Sequence, residues 1–311
     1  MSEGNNWEKD VLTSIATEGL KEQKRTRRWG IFFKLLTFAY LITLLVMLNP
    51  DFQEAASKNE KHTALVDLKG VIAPSAEASA DNVVTGLRKA FKDPATAGVV
   101  LRINSPGGSP VQSGYIYDEI LRLREKYPDI PMYAVISDIC ASGGYYVASA
   151  AEKIYADQAS IVGSIGVRMD NFGFVDAMKK IGVERRTLTA GKNKALLDPF
   201  GPEDPVVIAH MRGLLKSVHD QFINAVKQGR GDRLKEVDGM FEGLIWTGDQ
   251  SVEIGLVDEL GNSSYVAREV IGEETIVKFT EEPDFLERFS DKIGVHISTL
   301  LIEKELTPQL R

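Results

Sequence analysis

Two apolar runs in this chain each break into a glycine-rich turn, and this arrangement limits the fold more than any other feature. Residues 97–103, "AGVVLRI", are nearly continuous in apolar character, as suits a strand buried on both faces of a parallel sheet. The turn "NSPGGSP" follows, then a helical pattern that opens on Ser109 as N-cap with Pro110 in the first turn. Residues 132–137, "MYAVIS", repeat the scheme and run into "DICASGGYYV". Parallel strands need crossover connections, and the flanking patterns supply them. Residues 63–72 alternate as an edge or half-buried strand does, and 81–92 place Val83, Val84, Leu87 and Phe91 at helical spacing. Further strands are expected at 153–156 ("KIYA") and 185–189 ("RRTLT"), with a helix over 174–181 and a long amphipathic helix between Asp204 and Gly229. Residues 246–261 read as a helix, a C-cap at Gly255 and a strand. The alternation predicts an α/β domain.

Residues 31–48 read "IFFKLLTFAYLITLLVML", with Lys34 as the sole charge. About 20 apolar residues cross a ~30 Å hydrocarbon layer as a helix. Lys34 lies close enough to the start to carry its ammonium back to the headgroups. Lys21, Lys24, Arg25, Arg27 and Arg28 precede the run, and the positive-inside rule keeps them cytoplasmic. The tract is long for a cleaved signal peptide and no small-residue cleavage site follows it. The expected organisation is a basic tail (1–28), a single-pass anchor (29–49), a polar linker (50–62), one α/β domain (63–272) and a charged extension (273–311). A net charge of −7 gives no basic face for nucleic acid. The single cysteine, Cys140, excludes an intrachain disulfide and a cysteine-built zinc cluster.

In open α/β sheets, sites form beyond the carboxyl ends of the strands, so both glycine turns should emerge at one edge. Gly107 and Gly108 admit close approach of a substrate backbone. An amide from that turn, with one from the residue after Ser142, meets the requirement of an oxyanion hole. Ser142 at a helix start also gains from the unsatisfied N–H groups there. Taken alone, "ASGG" suits tight helix-on-sheet packing equally well.

The proton acceptor is the harder question. Of four histidines, His62 falls in the linker, His296 in the tail, and His210 and His219 on the long helix. None comes with a neighbouring acid that would make it look poised as a base. A lysine serves as base only when neutral, and at an ordinary pKa of about 10.4 fewer than ~1 in 1,000 are neutral at pH 7. Burial must therefore disfavour the charged form by about 4 kcal/mol. Residues 187–200, "TLTAGKNKALLDPF", offer Lys192 and Lys194, the second followed by Ala195, Leu196 and Leu197. Two solvated loop lysines are the plain alternative.

Taken together, "INSPGGS", "DICASGGYYVASAAEKIYADQASIVGSIGV", "GKNKALLDPF" and "WTGDQSVEIGLVDELG" resemble the signal peptide peptidase A family, membrane-anchored bacterial serine proteases with a Ser-Lys dyad. The resemblance runs in order over residues 63–272. It implies a crotonase/caseinolytic-protease-like fold after a single N-terminal transmembrane helix. It makes Ser142 the nucleophile and Lys194, in preference to Lys192, the general base. It implies Gly108 and Gly143 as oxyanion donors and Ser164 of "GSIGV" as the residue that orients the neutral lysine. No cofactor or metal is implied. The implied substrates are remnant signal peptides or other apolar peptides at the bacterial inner membrane, with the catalytic domain on the periplasmic side. One Ser motif and one Lys motif match the half-length form of the family, for which the resemblance implies an octameric ring. Whether each dyad is completed across subunits is left open.

Three other readings compete. One is a related membrane protease that cuts a membrane partner or misfolded proteins. Another is a catalytically silent anchored scaffold. The third, an acyl-thioester enzyme of the crotonase group, is disfavoured by the anchor and by the presence of both dyad residues.

Overall fold

The computed structural model describes residues 6–48 and 60–281 and divides into two compact units, Met1–Glu60 and Lys61–Arg311. Most of the expected linker, and the extension beyond residue 281, lie outside the described residues.

The described part of the first unit is built on the helix α1 (Asn6–Leu48). Its apolar run is described side chain by side chain only as far as Leu44. Among the described residues no helix is long and apolar enough to cross a membrane. Ile31, Phe33, Leu35, Phe38 and Leu41 are all exposed along it.

The second unit is built on eight strands: β1 (His62–Lys69), β2 (Thr96–Ser105), β3 (Met132–Ala141), β4 (Lys153–Ala156), β5 (Ile161–Gly163), β6 (Ile245–Thr247), β7 (Glu259–Leu260) and β8 (Ile276–Lys278). The sheet runs β6-β5-β3-β2-β1-β8, and β4 and β7 branch from β3. Pairs are parallel except β5 with β6. β3 serves two neighbours in turn, its Tyr133–Ile136 stretch pairing with β4 and its Ile139–Ala141 stretch with β5.

The structure changes several expectations. β1 is not an edge strand: β2 and β8 pair with it on either side, so even its alternate positions are buried. His62 is the buried first residue of β1 rather than part of a linker, and its ring stacks on Phe279 at 5.8 Å. β8 carries the folded unit past residue 272. The "RRTLT" stretch forms no strand: it pairs with no neighbouring strand, and its side chains bond locally, Arg185 with Thr187 and Asp198, Arg186 with Glu184.

Helices α2 (Ala80–Lys92) and α3 (Pro110–Lys126) cover one sheet face, where Leu87, Phe91, Ile116 and Ile120 meet Leu101 and Ile103. Each such side chain stabilises the fold by roughly 1.5–3 kcal/mol when fully buried. Ser79 and Ser109 cap the two helices, and the Gln112 side chain accepts the Ala80 N–H at 2.8 Å, tying one helix start to the other. On the opposite face Val266 and Ile271, from the helical turns Ser263–Tyr265 and Val266–Ile271, pack with Leu65, Val100 and Tyr155. The remaining helices are α4 (Gly143–Ala148), α5 (Val175–Lys180), α6 (Pro205–Arg230) and α7 (Gly248–Glu253).

One ion-pair cluster makes stability depend on pH. Glu119 of α3 is buried and accepts from Arg122 at 2.6 Å and Arg88 at 2.7 Å. The Arg122 hydrogen bond, against the cost of burial and helped by Arg88, lowers its carboxyl from 4.5 to about 2. A folded-state value below the unfolded one gives stability that is complete above about 4.5 and lost as pH falls towards about 2. Both arginines are half exposed, so we expect Glu119→Gln to cost about 1–2 kcal/mol at pH 7. Urea midpoints should show the gap between wild type and variant closing below pH 4. An unchanged gap at low pH would contradict the linkage.

Candidate functional site

Strands β2 and β3 are neighbours running the same way, so the turns at their carboxyl ends meet. A Cβ on Gly107 would stand 2.6 Å from the Gly143 nitrogen and 2.8 Å from the Ser142 Cβ, so no side chain fits between the turns. Gly108 is held from behind, where Ser109 N–H donates to the Ile72 carbonyl at 2.8 Å and Ile72 N–H to that of Gly107 at 2.9 Å. A Cβ on Gly108 would overlap Ile72, and one on Gly143 would overlap the Ser113 hydroxyl. Neither the Gly108 nor the Gly143 N–H has an acceptor among the described residues. Both donors are thus left for a substrate oxygen, as an oxyanion hole requires.

Ser142 sits between β3 and α4 with φ 50 and ψ −124, outside the comfortable regions for a side-chain-bearing residue. Its N–H donates to the Gly163 carbonyl at 2.8 Å, and its own carbonyl accepts from Tyr146 at 3.0 Å. The strand end β5 and the first turn of α4 therefore fix the strained backbone. Ser164 follows Gly163 directly and shares the feature, with φ 53. Backbone strain of this kind costs about 1–3 kcal/mol and collects at functional sites.

Behind the serine, α4 is bolted to the body. Tyr145 is fully buried and its hydroxyl donates to the Leu256 carbonyl at 2.7 Å. The neighbouring Gly255 carbonyl accepts from Arg230, whose guanidinium also pairs with Asp258 at 2.7 Å. Burial alone would raise the Asp258 carboxyl, but the Arg230 hydrogen bond and charge hold it below its ordinary value. Cys140, two residues before the serine, is fully buried, and burial pushes its thiol up, so it takes no part in chemistry at neutral pH.

Ser142, Gly108, Gly143 and Ser164 line one cleft of about 990 Å³. Lys194 and Lys192 do not line it. Both are exposed, Lys194 making a backbone turn to Gly191 at 3.1 Å. The desolvated surroundings expected for a base lysine are therefore not formed around Lys194 by a single chain. Its segment instead builds a separate hollow of about 300 Å³, lined among others by Arg185, Leu197, Asp198 and Phe200. Arg185 pairs there with Asp198 at 3.0 Å and lies over the Phe200 ring at 5.2 Å. No described histidine lines the serine cleft: His62 is in the core, His210 is exposed, and the His219 ring lies 3.3 Å from the Ile165 carbonyl. His296 lies outside the described residues.

Sequence reading missed the walls of this cleft. Val71, Val111 and Tyr115 form one side, and Val218 and Phe222 of α6 another. Tyr146 closes the space between them. Only Tyr146 carried a local signal, standing one helical turn beyond Ser142. Among the described residues no group of three His, Cys, Asp or Glu side chains is placed to hold a metal ion.

Residues 124–276 match the model of peptidase family S49. A 195-residue stretch is 43% identical to a Brucella abortus protein named Na(+)/H(+) antiporter NhaA, covering 63% of this chain and 26% of that one. An Enterococcus faecium protein, a signal peptide peptidase SppA by name, is 33% identical over 218 residues, 68% of this chain and 62% of its own. The Synechocystis protein slr0021, a protease by name, is 31% identical over 208 residues, 66% of this chain and 72% of its own. The chain spans less than two thirds of the length of the Brucella and Enterococcus relatives. The match to the family model, together with the identity to a protease of which this chain covers more than two thirds, leads to one conclusion: the chain belongs to peptidase family S49 and carries a serine-type peptidase domain.

Proposed function

We propose that the protein is a membrane-anchored serine endopeptidase that degrades remnant signal peptides and other apolar peptides at the inner membrane. The observation that carries this reading is Ser142. It stands at a strained turn on the first turn of a helix, beside two unclaimed amides, in a cleft with apolar walls. The Ser142 Oγ attacks the peptide carbonyl as a lysine takes its proton. The Gly108 and Gly143 N–H groups receive the oxyanion, and the lysine returns the proton to the leaving amine. Water then cleaves the acyl-enzyme by the same path in reverse.

The base is Lys194, with Ser164 orienting it. Because Lys194 is exposed and outside the cleft in one chain, a second copy in a homo-oligomer brings it there and buries it. Support for the membrane comes from the exposed apolar residues on all sides of α1 between Ile31 and Leu44 and from the basic residues that precede them. A helix apolar on all sides needs a non-aqueous partner. The name of the Enterococcus relative supports the substrate class.

A biotinylated peptide phosphonate, which reacts with activated serines, tests the reading on the full chain in detergent. Mass spectrometry should find the adduct on the peptide containing Ser142 and on no other. A chain that takes no label and cleaves no apolar peptide is the silent scaffold instead.

A further inference from the structure

The Ser142 cleft is not apolar throughout. Its inner wall is aromatic: the Tyr146 ring meets Tyr117 edge-on at 5.2 Å and Phe222 at 5.1 Å. Against that wall α3 presents Asp118, which lines the same cleft and is exposed to it. Asp118 is about two and a half turns beyond the N-cap Ser109, or about 13 Å along the helix. That is a span of about four residues of extended peptide from the oxyanion turn.

The carboxylate has no ion-pair or hydrogen-bond partner among the described residues. Arg122, one turn along the same face, is turned instead to Glu119 at 2.6 Å. The other charges on the cleft are Arg168, already paired with Asp170 at 3.6 Å, and Glu242, which is likewise unpaired among the described residues. The field of Asp118 is felt at the wall, since Tyr146 is raised first by burial and then by this carboxylate. An unpaired carboxylate beside aromatic faces is a site for a cation. The long stem of a lysine or arginine would lie on the apolar wall while its head reached the charge.

We propose that Asp118 and the Tyr146 ring form a subsite for a cationic side chain, so that the peptidase takes apolar peptides carrying a lysine or arginine a few residues from the bond it cuts. This rests on the proteolytic reading above and narrows its substrate class. A positively charged stretch followed by an apolar run is also the general make-up of a signal peptide.

Internally quenched apolar peptides, each with one lysine or its neutral counterpart norleucine at successive positions, test the proposal on the full chain in detergent. At one position kcat/KM for the lysine peptide should exceed that for norleucine by about tenfold. The ratio should fall with added salt and approach one in Asp118→Asn. In Asp118→Lys a glutamate peptide should become the better substrate. Equal rates for lysine and norleucine at every position overturn the subsite, as does a preference that survives Asp118→Asn or vanishes in Glu242→Gln instead. Fluorescence anisotropy of the same peptides on Ser142→Ala separates the two claims. Tighter binding of the lysine peptide without wild-type turnover upholds the subsite and sinks the proteolytic reading, whereas turnover without any binding preference does the opposite.

Discussion

Ser142→Ala is expected to lower kcat for peptide hydrolysis by about a million-fold and to abolish phosphonate labelling, while leaving the folded chain intact. In the proposed mechanism the nucleophile is one oxygen, and removing it leaves the Gly108 and Gly143 amides and the cleft in place. The backbone at residue 142 is strained with either side chain, since both bear a Cβ at φ 50. Its N–H and carbonyl bonds to Gly163 and Tyr146 involve no side-chain atom. The thermal midpoint should therefore move by no more than about 2 °C. Urea and heat titrations beside the peptide assay separate loss of chemistry from loss of fold. Full activity in the alanine variant would falsify the nucleophile assignment, and a collapsed midpoint would make it untestable by that substitution, in which case the Ser142→Cys variant and a thiol reagent report on the same atom position.

How much of this was legible in the sequence depended on distance along the chain. β2 and β3 could be read because a buried parallel strand is a local apolar run, and its glycine turn follows at once. Their juxtaposition then needed only that neighbouring parallel strands end at the same edge, which is why the Gly107–Gly108 turn was expected beside Ser142 and Gly143, whereas the choice of Gly108 came from the family resemblance. The cap at Ser109 is local as well. β8 was missed because three residues carry too little pattern, and only its pairing with β1 makes it a strand. That same pairing turned β1 from an expected edge or half-buried strand into an interior one. The cleft wall draws Asp118, Tyr146 and Phe222 from three different helices, a combination that exists only after folding. Arg185–Thr189 failed for the opposite reason: the local β pattern was present, but no neighbouring strand pairs with it, and a lone strand has no partner for its backbone groups.

The lysine gives the other large effect. Lys194→Ala is expected to remove activity by about four to six orders of magnitude, and Lys192→Ala by less than tenfold. A lysine acts as base only when desolvated, and Lys194 is exposed in the single chain and outside the cleft that holds Ser142. If a neighbouring copy completes the site, each dyad draws its serine from one chain and its lysine from another. Two inactive proteins should then complement each other. Chains carrying Ser142→Ala and chains carrying Lys194→Ala, unfolded or dissociated together and reassembled in equal amounts, place both native residues at about a quarter of the interfaces of a cyclic assembly. Activity should return to about that fraction of wild type, and should rise and fall with the mixing ratio as the product of the two mole fractions. Reassembly confirmed by light scattering, with no activity at any ratio, places serine and lysine in the same chain. Activity in Lys194→Ala alone, lost in Lys192→Ala, transfers the role of base to Lys192, whose side chain shares the same exposed turn.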